Sequence, residues 1–343
     1  MGDFLRPPFF FEVDKMCINM KRMYICKNPK KMYGNFILKT RQYNEYVQYN
    51  KEYALFENNP MIKRFDVIER VYVPCGKCLQ CLTKRSKTWT LRLTTEYIKY
   101  RNNCVLTLTY DDEHLPENSL INYKDVQLFL KRLRKKLGKD TKIKFACCSE
   151  YGSLNLRPHY HVIIFNWFPP DVDLRYPYKV TKKRSKLYKS KICNELWSNG
   201  FVDVGLVDYH TARYVTQYCV KKCIHEDYEA YRVKNKIKRE KLTCSVGTGY
   251  DYFIRNFKTI FNSCFCQLGG LAYPIPKYFK NKCKEMFPEV YEKYKYTIRD
   301  RLKDFILDDK QQKRFEAIEA RLRAVYELFH SKLSNDHLTG LLT

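Results

Sequence analysis

Between residues 104 and 223 the hydrophobic positions switch between a period of two and a helical period, and each switch marks an element. Val105-Leu-Thr-Leu-Thr-Tyr110 alternates and is rich in strand formers, which predicts a strand. Asn122, with Asp125 three residues on, resembles a capping box. Val126, Phe129, Leu130, Leu133 and Leu137 follow at helical spacing, and Gly138 closes the helix. Ile143 to Cys148 and His159 to Phe165 read as two further strands, separated by a turn region with Gly152, Ser153 and Asn155. A second helix fits Lys186 to Trp197, and Phe201 to Val204 begins a fourth strand. The order is β-α-β-β-α-β, so the expected fold class is α+β, ferredoxin-like, with helices on one face of a central antiparallel sheet.

A further helix over His210 to Lys222 is expected close to that sheet. Ser245-Val-Gly-Thr-Gly249 reads as a flexible break, and Pro288 to about Leu333 as a charged helical extension. Residues 1 to about 70 are polar, rich in Tyr, Asn and Lys, with little periodicity. The expected organisation is a polar N-terminal region over 1–71, a core domain over 72–240 and a mostly helical extension over 241–343.

His159 and His161 are two residues apart on a predicted strand, which turns both imidazoles to one face and Tyr160 to the other. Such a pair can chelate, although two histidines on a strand are as readily solvated or packed in a core. Glu150 lies near the turn end of the preceding strand, where antiparallel pairing offers its carboxylate to the same ion. Two imidazoles and a carboxylate, with the remaining positions left to water and phosphate oxygens, suit Mg²⁺ or Mn²⁺; Zn²⁺ fits the same ligands.

Tyr214 and Tyr218 are four apart on the predicted helix, so both hydroxyls share a face, with Lys221 and Lys222 a turn later. A phenol ionises near pH ~10 and needs a metal-bound phosphate or a basic neighbour to act as a nucleophile. Two tyrosines would allow two successive transfers. With 29 tyrosines in the chain, such a pair also arises by chance.

Charge narrows the partner. The chain has 64 Lys and Arg against 37 Asp and Glu, a formal net charge of +27, and so points to a polyanion. Its 29 Tyr and 21 Phe interleave with the basic residues, as in surfaces on which unpaired bases stack. Arg85, Trp89, Arg92, Lys131, Arg132, Lys135 and Arg157 are the candidate DNA contacts, with ordinary core packing the other reading of Trp89. No run approaches the roughly 18 apolar residues of a membrane span, and Glu12 and Asp14 follow Phe9-Phe10-Phe11 too closely for a signal-peptide core. The expectation is a cytosolic protein with reduced thiols rather than a disulfide framework among its 15 cysteines. Cys75, Cys78 and Cys81 form a C-x₂-C-x₂-C run that could hold a structural Zn²⁺ if Cys17 or Cys26 supplied a fourth thiolate.

Several stretches together carry a resemblance. Pro74-Cys-Gly-Lys-Cys-Leu-Gln-Cys81, Leu106-Thr-Leu-Thr-Tyr-Asp-Asp-Glu-His-Leu-Pro116, Ser149-Glu-Tyr-Gly152, Arg157-Pro-His-Tyr-His161, Ala212-Arg-Tyr-Val215 with Tyr218, and Gly247-Thr-Gly249 make the chain similar to the rolling-circle replication initiators, of the HUH endonuclease superfamily, of gokushoviruses, single-stranded DNA phages of the microvirus group. The resemblance spans about residues 72 to 280. It implies that His159 and His161 hold a divalent ion, that Tyr214 or Tyr218 becomes linked to the 5′ phosphate of a nicked strand, and that the partners are single-stranded origin DNA and a host helicase and polymerase. It also implies that the protein acts in the bacterial cytoplasm. Two departures stand out: Tyr160 replaces the usual aliphatic residue between the histidines, and Ser-Val-Gly-Thr-Gly stands where a Pro-Gly-rich element is expected. A two-tyrosine transposase of the same superfamily and a non-catalytic zinc-dependent nucleic-acid-binding protein are the competing readings.

Overall fold

A computed structural model describes residues 21–26, 46–49, 52–56, 67–74, 76, 79–152, 157–181, 184–221, 234, 236–238 and 240–303. The chain divides into two compact units, Met1–Leu82 and Thr83–Thr343. In the first, β1 (Lys21–Cys26), β2 (Tyr46–Tyr49), β3 (Glu52–Phe56) and β4 (Val67–Val73) pair antiparallel in the order β2-β3-β1-β4. The sequence gives little sign of these strands.

The second unit is built on a seven-stranded sheet. Its central part follows the expected order: β5 (Asn103–Tyr110), α2 (Tyr123–Leu137), β6 (Lys144–Tyr151), β7 (Pro158–Phe165), α3 (Lys191–Trp197) and β10 (Gly200–Leu206), with α1 (Leu79–Tyr97) preceding them. With β8 (Lys179–Val180), β9 (Lys186–Tyr188) and β11 (Leu242–Cys244), the spatial order is β11-β6-β7-β5-β10-β9-β8, every neighbouring pair antiparallel. Strand β11, just past residue 240, extends the sheet beyond β6. The second helix is shorter than expected: Lys186–Tyr188 is strand, because its backbone pairs with Val204 and Gly205 of β10, and the helix starts only where the Ser190 side chain accepts from Cys193 N at 3.0 Å.

Strand period fixes which residues meet which helices. Val126, Phe129, Leu130 and Leu133 of α2 and Trp197 of α3 bury against Leu106, Leu108, Tyr110, Tyr160, Val162, Ile164, Val202 and Val204. Asn122 caps α2, its side chain accepting from Lys124 N at 3.2 Å, and Gly138 ends it at φ 71°. The opposite face carries Ala146, Cys148, Ile163 and Phe165, covered by Leu93 of α1 and by Ala212 and Val215 of α4 (Tyr209–Lys221). Helices therefore lie on both faces, and α4, expected close to the sheet, packs on the side away from α2 and α3. Thr216 joins it to α1, its hydroxyl 3.2 Å from Ser86 and 2.8 Å from Thr90.

The turn at 245–249 is firmly held rather than a flexible break. Ser245 N donates to Phe145 O at 2.8 Å, and Thr248 is fully buried. Buried Glu96 accepts from Gly249 N at 2.6 Å and from Lys144 Nζ at 2.8 Å. A side chain at Gly249 (φ +77°) would place Cβ 3.3 Å from Arg92 Cα, so both backbone conformation and close approach call for glycine. Helix α5 (Tyr250–Ser263) follows, then a hairpin of β12 (Cys266–Leu268) and β13 (Leu271–Tyr273), α6 (Lys277–Met286) and α7 (Pro288–Lys303). Phe253, Ile260, Phe261 and Phe279 form a further core there together with Leu91 of α1, and Phe257 stacks on Phe287 at 3.8 Å. The expected extension from 304 to Leu333 lies outside the described residues.

Candidate metal centre and the tyrosine helix

The pairing of β6 with β7 sets Glu150 directly opposite His159 and Cys148 opposite His161. Because residues i and i+2 share a face, Glu150, His159 and His161 converge while Tyr160 turns into the core beneath α2. Glu150 Oε2 lies 3.4 Å from His159 Nε2 and 3.3 Å from His161 Nε2, and the three candidate ligand atoms fall within 4.8 Å of one another. The two rings stand perpendicular, 5.1 Å apart.

Hydrogen bonding orients both imidazoles. His159 Nδ1 donates to Arg157 O at 3.3 Å, and His161 Nδ1 lies 3.3 Å from Thr107 Oγ1. For His159 this tautomer leaves the Nε2 lone pair facing Glu150, the arrangement in which a ligating histidine is normally held. Glu150 Oε2 is buried without a hydrogen bond of its own. An imidazole lone pair and a carboxylate oxygen that face each other in a buried pocket repel unless a cation or proton lies between them. The donor set therefore fits a divalent ion.

In the absence of an ion, protons on the imidazoles can play the same part: burial pushes the Glu150 carboxyl up, but hydrogen bonds from and attraction to His159 and His161 outweigh it and bring the pKa down to about 2. Burial, aided by His159, lowers that of His161 against the pull of Glu150. An ionised carboxylate and a neutral imidazole are the forms that bind metal.

Helix α4 brings Tyr214 over this face, its ring 5.5 Å from that of His161 at 77°. Tyr218 and Lys221 lie further along α4, their side chains outside the described residues, as is all of Lys222. Thr107 is a site residue that sequence reasoning missed. The signal was present in Leu-Thr-Leu-Thr-Tyr: the leucines alternate into the core, so the threonines face the metal side, and Thr107 pairs with His161.

The candidate DNA contacts scatter. Arg92 is a correction: it is buried, its Nε donates to Thr248 O at 3.1 Å, and its guanidinium lies over the rings of Trp89 (4.4 Å) and Tyr278 (4.5 Å). Burial lowers its pKa. It is an internal strut, out of reach of a phosphate. Arg132 is likewise committed, donating to the carbonyls of Leu196 and Trp197 at the end of α3 at 2.7 and 3.1 Å. Lys131 and Lys135 are exposed, but on α2, across the sheet from the histidines. Arg157 donates to Tyr110 O at 3.0 Å and pairs with Asp112, tying the start of β7 to the end of β5. Arg85 is exposed on α1. Cys17, Cys75 and Cys78 lie outside the described residues, as does the side chain of Cys26; Cys81 is half-buried on α1. No disulfide occurs among the described residues, and none of their helices is long and apolar enough to cross a membrane.

A ferredoxin-like antiparallel sheet carrying a histidine pair and a carboxylate on the face opposite α2 and α3, with a tyrosine helix above, defines an HUH-like α+β protein. The family model for replication-associated protein ORF2/G2P matches residues 103–223, the segment that holds every part of this arrangement. The chain is 36% identical over 238 residues to replication-associated protein ORF4 of Chlamydia phage 1, covering 67% of this chain and 59% of that protein. It is 30% identical to VP4 of Bdellovibrio phage phiMH2K, covering 67% and 73%, and 31% identical to ORF2 of Spiroplasma virus 4, covering 69% and 77%. The chain belongs to this family of replication-associated proteins of gokushovirus-type phages. No solved structure matches it.

Proposed function

We propose that this protein initiates rolling-circle replication by nicking single-stranded DNA at a phage origin with a tyrosine nucleophile. The observation that carries the reading is the convergence of Glu150, His159 and His161 beneath the Tyr214 ring. Membership of a phage replication family supports it. A bound Mg²⁺ or Mn²⁺ would supply positive charge at the scissile phosphate.

The chain's own groups do the rest. Thr107 and the Arg157 carbonyl hold the imidazoles in place, and α4 presents Tyr214, with Tyr218 one turn on. The hydroxyl oxygen of one of these tyrosines attacks phosphorus, a tyrosyl–phosphate bond forms and the P–O3′ bond breaks. The phenolic proton passes to a base, for which Lys221 or Lys222 is placed by sequence, and the departing 3′ oxygen takes up a proton. One phosphoester replaces another, so a free 3′ hydroxyl can reverse the step without ATP, and the second tyrosine can accept the strand in a later transfer. Origin DNA, a host helicase and polymerase are the partners, in the bacterial cytoplasm.

Incubation of the full chain with single-stranded origin DNA and Mn²⁺ should yield a nick and a covalent adduct, and peptide mapping of the adduct assigns the tyrosine. If His159→Ala and a Tyr214→Phe/Tyr218→Phe double variant cut as well as wild type, the reading fails.

A further inference from the structure

The β8–β9 ribbon is unused by the site described so far. Of the thirteen residues from 179 to 191, seven are Lys or Arg and none is acidic. The ribbon extends the sheet from β10, on the side where α1 and α4 leave the metal-bearing face uncovered: Tyr176 is 74% exposed, Tyr178 47% and Phe201 62%. Lysines along an edge are a common guard against strand pairing, which accounts for the charge. It does not account for large rings left in water.

Register connects Phe201 to the metal centre, and a hydrogen bond to the neighbouring Asp203 connects Tyr178. Asp203 of β10 pairs with Thr107, which pairs with His161, and Phe201 pairs with Thr109, which pairs with His159. With strands about 4.8 Å apart, each stands two strands, roughly 10 Å, from its histidine on the same face. Tyr178 is fixed there: its hydroxyl donates to Asp203 at 2.5 Å, and Lys189 Nζ, 2.6 Å from the same carboxylate, lies 4.5 Å from the Tyr178 ring centre. Arg175 stands over Tyr176 at 5.4 Å.

Rings with cations beside them match unpaired bases alternating with phosphates; a duplex keeps its base faces stacked inside. We infer that the β8–β9 ribbon and Phe201 form a binding strip for single-stranded DNA that leads the strand onto the metal centre. The inference rests on the nicking reading for what happens at the end of the strip, but the strip itself binds without cleavage.

Anisotropy of a labelled oligo-dT and of a duplex of equal length, titrated with the full chain in EDTA, tests it. Stacking contributes about 5- to 150-fold in affinity per base. Tyr178→Ala/Phe201→Ala should bind oligo-dT at least about 20-fold more weakly, with duplex binding changed by less than about threefold. Lys179→Ser, on the same face as Phe201 and Asp203, should flatten the dependence of log affinity on log salt by about 0.7. Circular dichroism melts check that both variants fold. Unchanged oligo-dT affinity in the ring variant, or an equal loss for duplex, overturns the inference even if the wild type nicks. Loss of oligo-dT binding in the variants, alongside a wild type that never nicks, leaves the strip standing and removes the nuclease.

Discussion

Strand β7 builds two polar networks on its two faces, and they end in opposite states. Tyr160, fully buried, donates to Asn122 O at 2.9 Å and accepts from Asn122 N at 2.7 Å, with the Tyr110 hydroxyl 3.1 Å away donating in turn to Asp125. Every polar atom there has a partner, and the group fastens α2 to the sheet. One residue to either side, His159 and His161 close on Glu150 Oε2, which has no hydrogen bond of its own. A satisfied buried network contributes stability; an incomplete one destabilises the fold and persists where something outside the chain completes it. The difference separates the face that holds the fold from the face proposed to act.

Substitutions should divide along that line. Glu150→Ala or His159→Ala is expected to lower nicking of single-stranded origin DNA by about 10³-fold or more, since a metal's contribution to a phosphoryl transition state is several kcal/mol. Chemical denaturation of the same variants should show wild-type stability or better. Tyr160→Phe should do the converse: a loss of about 1–3 kcal/mol in urea denaturation, from leaving the Asn122 N–H unpaired, with nicking per folded molecule unchanged. If Tyr160→Phe abolishes nicking at full stability, the division between the faces collapses.

Two smaller effects sharpen it. Mn²⁺ at a hundred times its dissociation constant should stabilise the wild type by about 2.7 kcal/mol and raise its melting temperature, while Glu150→Gln removes that response and Tyr160→Phe keeps it. The last concerns pH. His161 has its pKa lowered by burial, so the metal-free fold is favoured while that imidazole is neutral. This stability is present above the ordinary histidine value near 6.5 and is lost as pH falls below it toward the folded value. Thermal melts in EDTA at pH 7.5 and 5.5 should therefore differ by more in the wild type than in His161→Gln.

The central elements were legible because each is amphipathic with one period. Thr107 and Leu108, Tyr160 and His161 alternate cleanly, so the hairpin partners and the shared face of the two histidines followed from the pattern. What was not legible depends on contacts remote in sequence. Lys186-Leu187-Tyr188 continues smoothly into the helix that begins at Lys191, and only pairing with β10 makes it a strand. The 245–249 segment has the composition of a loose linker, yet Glu96 and Arg92, some 150 residues earlier, hold it by hydrogen bonds no local pattern displays. Arg92 looked like a phosphate contact for the same reason: a basic residue near a tryptophan fits a nucleic-acid surface and a buried cation–π stack equally well. Tyr214 was correctly set on a helix, but its place over His161 comes from Ala212 and Val215 packing on the sheet, which the pair of tyrosines alone does not specify.

The opposition of Glu150 and His159 also makes the centre a matter of parity. Adding or removing one residue inside either paired strand exchanges odd for even. In β7 the tyrosine would then face the metal side and the histidines would enter the hydrocarbon core; in β6 the Glu150 carboxylate would leave its partners for that core; in either case the damage would reach fold and activity at once. Two residues added together would keep the faces and merely slide the ligands past each other by one pleat repeat, about 6.6 Å. Evolution along this hairpin is thus confined to substitutions and to changes in the turn, and related chains can vary in loop length far more freely than in the residue count of the two strands themselves.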